Sequence, residues 1–115
     1  MTSINSVLGP IDSSELGFTL MHEHVMISAS GLSRHYPALL GPNKEARAIA
    51  SLKKARAAGI QTMLDATTFD LGRDPELLKE VSEGSGVNLI KVTGWWLDVP
   101  RFLPGVGPNQ VAAEG

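Results

Sequence analysis

The chain has 115 residues, no cysteine, 43% hydrophobic residues and a formal charge of −2. It is long enough for one core and too short for two, and without cysteine it excludes a disulfide framework and any thiolate metal site. Twelve acidic against ten basic residues leave no electrostatic footprint for nucleic acid or an anionic membrane. No apolar run approaches a membrane span, and Met1-Thr2-Ser3-Ile4-Asn5 has neither a basic n-region nor an apolar h-region, so a cytoplasmic protein is expected.

In chain order, residues 4–8 alternate like a short strand that breaks at Gly9-Pro10, and Asp12-Ser13-Ser14-Glu15 reads as a turn; together they make a strand-and-turn unit within 4–17. A strand is expected over 18–27. Residues 28–42, punctuated by Ser28, Ser30, Gly31, Pro37, Gly41 and Pro42, read as a long loop of the kind that is more often functional than incidental. Asn43 is placed to cap a helix over 44–58, with Ala48, Ile49, Leu52 and Ala55 on one face, Lys44, Arg47, Lys53 and Lys54 toward water, and Gly59 ending it. A second strand follows over 60–67, then a helix over 75–84 capped by Asp74 with Pro75 at its first position, and a third, mostly apolar strand over 87–96. Beyond Pro100 the sequence is rich in proline and glycine, with a helical pattern starting near Asn109.

The histidines give the chain its first chemical signal. In an extended segment the period of two sends His22 and His24 to one face and Glu23 to the other. Two imidazoles on one face can reach a single cation, at roughly 2.0–2.1 Å each for zinc, but they supply only two ligands. On spacing alone, two histidines of a half-buried strand remain the competing reading.

The order β-α-β-α-β with short connections calls for parallel strands and right-handed crossovers. Neither β-α turn carries a glycine-rich phosphate-binding pattern, which removes the usual nucleotide readings. An open doubly wound sheet and a closed barrel both remain; a barrel needs about 250 residues, so this chain would hold its first two and a half units.

Three stretches then resemble the phosphotriesterase family of metal-dependent hydrolases, in the amidohydrolase superfamily. They are Gly17-Phe-Thr-Leu-Met-His-Glu-His-Val25, Asp65-Ala-Thr-Thr-Phe-Asp-Leu-Gly-Arg-Asp74 and Val92-Thr-Gly-Trp-Trp-Leu-Asp-Val-Pro100. The resemblance runs from about residue 7 to residue 100 and is nearest to the phosphotriesterase-like lactonases. It implies an α/β fold: the N-terminal third of a (β/α)8 TIM barrel with parallel strands, incomplete in this chain. It also implies a binuclear centre of divalent ions, zinc first, with cobalt, iron or manganese as alternatives. His22 and His24 match the first-strand pair that binds the more buried ion. Trp96, Leu71 and Met26 match positions lining or bordering the substrate pocket. Lys91 does not match the bridging lysine of the family, and His35 matches no ligand. Glu23 should face the helix layer, Asp65 should either orient a ligand or hydrogen-bond loop backbone, Arg73 and Asp74 should brace the second β-α loop, and Trp95 should pack between sheet and helix.

The implied chemistry is hydrolysis of a lactone, of acyl-homoserine type, or of an organophosphate triester by a metal-bound hydroxide, in a protein that is a homodimer at full length and takes small-molecule esters. The alternatives are another amidohydrolase, an amidase or a nuclease, and a truncated, non-catalytic fragment. The 115 residues by themselves would lack most of the site and be inactive.

Overall fold

The computed structural model describes residues 2–28, 32–68 and 71–94. A two-stranded antiparallel hairpin, β1 (Ser3–Ser6) with β2 (Gly9–Asp12), opens the chain and is followed by a 3-10 turn over Ser13–Glu15. Then come β3 (Phe18–Glu23), a single helical turn α1 (Leu32–His35), a 3-10 turn (Pro37–Leu40), α2 (Lys44–Ala57), β4 (Ile60–Asp65), α3 (Pro75–Ser85) and β5 (Asn88–Lys91). Strands β3, β4 and β5 form one parallel sheet in that order. The fold is α/β with a parallel sheet.

The helices cover one face of this sheet. Ala48 and Leu52 of α2, Leu77, Leu78 and Val81 of α3, Met63 of β4 and Leu89 of β5 make the core with Val87. The two helices approach closely because α3 has a glycine at the contact: a Cβ on Gly84 would lie 2.7 Å from Ile49 Cδ1. Asp74 caps α3 by accepting from Leu77 N at 3.2 Å, and Pro75 follows where a missing N–H costs nothing. Among the described residues, no helix is long and apolar enough to cross a membrane.

Three expectations from the sequence change here. Gly9-Pro10 does not end the first strand but begins its partner, with Val7 and Leu8 as the turn between them. Proline is tolerated because a two-stranded ribbon is all edge, and Ser6 Oγ supports the turn by donating to Gly9 O at 2.6 Å. Asn43 does not cap α2 with its side chain; it sits in the left-handed region at φ 54°, and only its carbonyl joins the helix by accepting from Arg47 N at 2.9 Å. The stretch read as a loop over 28–42 contains helical turns, the second beginning at Pro37. Arg47 is exposed, as read, and from the surface it reaches back to that stretch: Nε donates to Pro42 O at 3.0 Å and Nη2 to Leu40 O.

The strands also stop short of their expected ends. β3 ends at Glu23 rather than 27 and β4 at Asp65 rather than 67. The cause is the Asp65 carboxylate, which takes Val25 N at 3.2 Å and Thr67 N at 2.8 Å, so a side chain replaces the next ladder bonds. The last ladder-like contacts are Ala66 N to Glu23 O at 2.8 Å and Val92 N to Asp65 O at 3.3 Å.

Leu89, with no exposed surface, is sealed between sheet and helices. Leu89→Ala should destabilise the protein by roughly 2–5 kcal/mol, measured as a lowered denaturant midpoint with an unchanged slope.

Candidate metal centre

The histidine strand does not alternate evenly. Leu20 pairs with Met63 and Glu23 with Asp65, so β3 takes three steps where β4 takes two. The register shifts the opposite way between Phe18 and Thr19, and here it shifts as at a β-bulge or similar irregularity. Without it, Leu20 and His22 would share a face. With it, Leu20 packs against the helix-side core and Glu23 returns to that same side, lining a cavity of about 410 Å³ with Lys44, Ser51, Leu52 and Met63. His22 beside it is exposed, and His24 borders the same cavity as Glu23. The bulge lets one strand supply both a core leucine and an imidazole pair at the carboxyl end of the sheet.

The two rings stand edge to face, with centroids 5.3 Å apart. His22 is exposed, and His24 is half-buried with Nδ1 2.9 Å from Thr67 Oγ1. That contact leaves Nε2 of His24 as the ring nitrogen free to meet a ligand. Thr67 is only 3% exposed, and its own N–H is held by Asp65, which is 2% exposed. Among the described residues, no third His, Cys, Asp or Glu joins the pair in a group that could hold a metal. The donor set fits a borderline cation such as zinc, cobalt or iron in chemical type and fills two positions of its coordination shell.

The other residues singled out from sequence fall into different surroundings. Leu71 is half-buried in the loop after β4, and its carbonyl accepts from Ser28 N at 2.9 Å, tying this loop to the one after β3. Gly72 makes that approach feasible: at φ 87° its absent Cβ would lie 2.7 Å from Ser28 Oγ. Met26 packs against the core and lines a small void with Asp65, Thr67, Gly72 and Leu77. Trp96 and Trp95 lie outside the described residues. Of the two roles open to Asp65, the structure supplies the backbone one, and through Thr67 it also acts on a histidine. Arg73 braces the third strand's exit, with Nη1 donating to Val92 O at 2.8 Å. Lys91 is level with Asp65 in the β4–β5 register, and burial, helped by the Arg73 guanidinium, holds its amine below the usual lysine range. His35 is exposed at the end of α1.

Thr67 is the residue that sequence reasoning missed. Its signal was the triplet Asp65-Ala66-Thr67 at a strand end, where an aspartate bonds the backbone two residues on.

A parallel sheet with helices on one face and paired imidazoles at its carboxyl ends defines an α/β protein whose chemistry gathers where the strands end. The chain belongs to the phosphotriesterase family, whose model matches residues 2–114. It is 37% identical over 113 residues to a phosphotriesterase homology protein of Mycobacterium tuberculosis, covering 95% of this chain and 35% of that protein. It is 31% identical over 105 residues to an aryldialkylphosphatase of Saccharolobus solfataricus, covering 89% of this chain and 33% of the relative. The solved structure of the phosphotriesterase from Mycobacterium tuberculosis superposes with a TM-score of 0.82 at 36% identity, over 93% of this chain and 34% of that one. The chain spans about a third of the length of these relatives.

Asp65→Ala would leave Val25 N–H and Thr67 N–H without their acceptor in a buried setting. The expected cost is roughly 3 kcal/mol, with faster hydrogen exchange at those two amides than at the rest of the sheet.

Proposed function

We propose that this chain is part of a metal-dependent hydrolase of lactones or organophosphate triesters. The observation that carries the reading is the imidazole pair at the carboxyl end of β3, in a chain of the phosphotriesterase family. A (β/α)8 barrel completed by further strands and a second divalent ion belongs to the same proposal, as do cytoplasmic location and a homodimer at full length. The name of the Saccharolobus relative, an aryldialkylphosphatase, supports ester hydrolysis at phosphorus.

Within the described residues, His22 and His24 would hold a cation through neutral ring nitrogens. A cation bound there polarises a carbonyl or phosphoryl oxygen and lowers the pKa of water. Asp65 keeps the segments leaving β3 and β4 at a set spacing next to the two rings. The loops that follow those strands, joined at Ser28 and Leu71, would form part of the substrate wall. Leu71, and Trp96 by resemblance, would sort acyl chains or aryl leaving groups by fit.

The test uses the chain as naturally translated. His22→Ala and His24→Ala should each lower bound metal, measured by elemental analysis. Hydrolysis of an acyl-homoserine lactone and an aryl dialkyl phosphate should fall more than about 100-fold, beyond what losing a supporting hydrogen bond costs. Full metal content and full turnover in His24→Ala would overturn the assignment. Leu71→Ala should reorder the two substrates while leaving metal content alone; an equal loss on both would count against a wall position.

A further inference from the structure

The carboxyl end of β4 carries a buried hydroxyl whose one described partner is the inner histidine. Thr67 Oγ1 lies 2.9 Å from His24 Nδ1, and no other described hydrogen bond involves that oxygen. Its position is not left to rotamer freedom alone. The Thr67 backbone is pinned by its N–H to Asp65 Oδ1 at 2.8 Å, while Asp65 Oδ2 holds Val25 N, the residue next to His24, at 3.2 Å. One carboxylate therefore sets the backbone on both sides of the hydroxyl–imidazole contact. His22 has no comparable support: among the described residues its ring meets the ring of His24.

We infer that Thr67 is a positioning residue for His24, fixing which ring nitrogen is presented to a cation, with Asp65 as its anchor. The inference deepens the metal-hydrolase reading and rests on it. A histidine metal ligand needs its second nitrogen bonded to something that sets the tautomer and the ring plane. A hydroxyl suits that task because it both donates and accepts. With a cation held through Nε2, Nδ1–H would donate to Thr67 Oγ1; the hydroxyl can keep the same contact with either partner donating. The ring keeps one orientation through loading, and the more exposed His22 adapts to it.

The experiment uses metal-stripped protein, as naturally translated, titrated with zinc alone. Thr67→Val keeps the shape and removes the hydroxyl, and should weaken zinc binding about 10-fold or more. Thr67→Ser keeps the hydroxyl and should stay near wild type. In the zinc-loaded wild type, nitrogen-15 spectra of labelled histidines should place the His24 proton on Nδ1. Thr67→Ala, titrated in the same way, should lose affinity as Thr67→Val does and serves if the valine variant does not fold. Wild-type affinity in Thr67→Val, a loss in Thr67→Ser as large as in Thr67→Val, or metal on Nδ1 of His24 would each overturn the inference. His24→Ala separates the two levels. If it leaves zinc affinity intact, the ligand reading itself falls; if it abolishes binding while Thr67→Val does not weaken it, only the positioning role falls.

Discussion

The Asp65 carboxylate is the contact on which the carboxyl end of this sheet depends. It is almost wholly buried and accepts two backbone N–H groups, one from the segment leaving β3 and one from the segment leaving β4. A buried carboxylate is tolerated only with such partners. Here the partners are the amides that would otherwise have lost their ladder bonds as the strands diverge into loops. The charge and the orphaned amides answer each other. Two strand ends are thereby held in register by a side chain, immediately below the imidazoles.

The bulge in β3 is the second half of the arrangement. The strand has to bury Leu20 against the helices and yet turn His22 outward, and a strict period of two forbids both. The register shift between Leu20 and Glu23 resolves the conflict within the strand, at the kind of place where bulges are commonly found. Glu23 is thereby returned to the helix side, where Lys44 lines the same cavity and supplies an opposite charge in its surroundings.

Much of this was legible in the residues. The core of α3 could be read from Leu77, Leu78 and Val81, and its start from Asp74-Pro75, because capping and periodicity are local. The histidine pair was visible, but the break in its strand's register was not, since that depends on how a neighbouring strand pairs. The hairpin was half read: Gly9-Pro10 has the composition of a break, and only pairing with Asn5 and Ser6 makes it a strand. Thr67 was passed over for a similar cause. A threonine at a strand end carries no mark of the imidazole it will meet, which lies far away in sequence and is brought close only by the crossover through α2.

The hairpin at the start of the chain has a further consequence, for the order of folding. Its turn is fastened to the sheet by Val7 N donating to Leu89 O at 2.8 Å, a bond to β5, the last strand described. The neighbouring 3-10 turn is held in the same way, Asn88 Nδ2 reaching Glu15 O at 3.4 Å. The hairpin and the turn thus take their partners from near the far end of the described chain. Local contacts within each β-α unit close short loops, whereas this one closes a long loop and carries a larger entropic cost. Attachment of the hairpin to Leu89 therefore requires β5 to be in place beneath it.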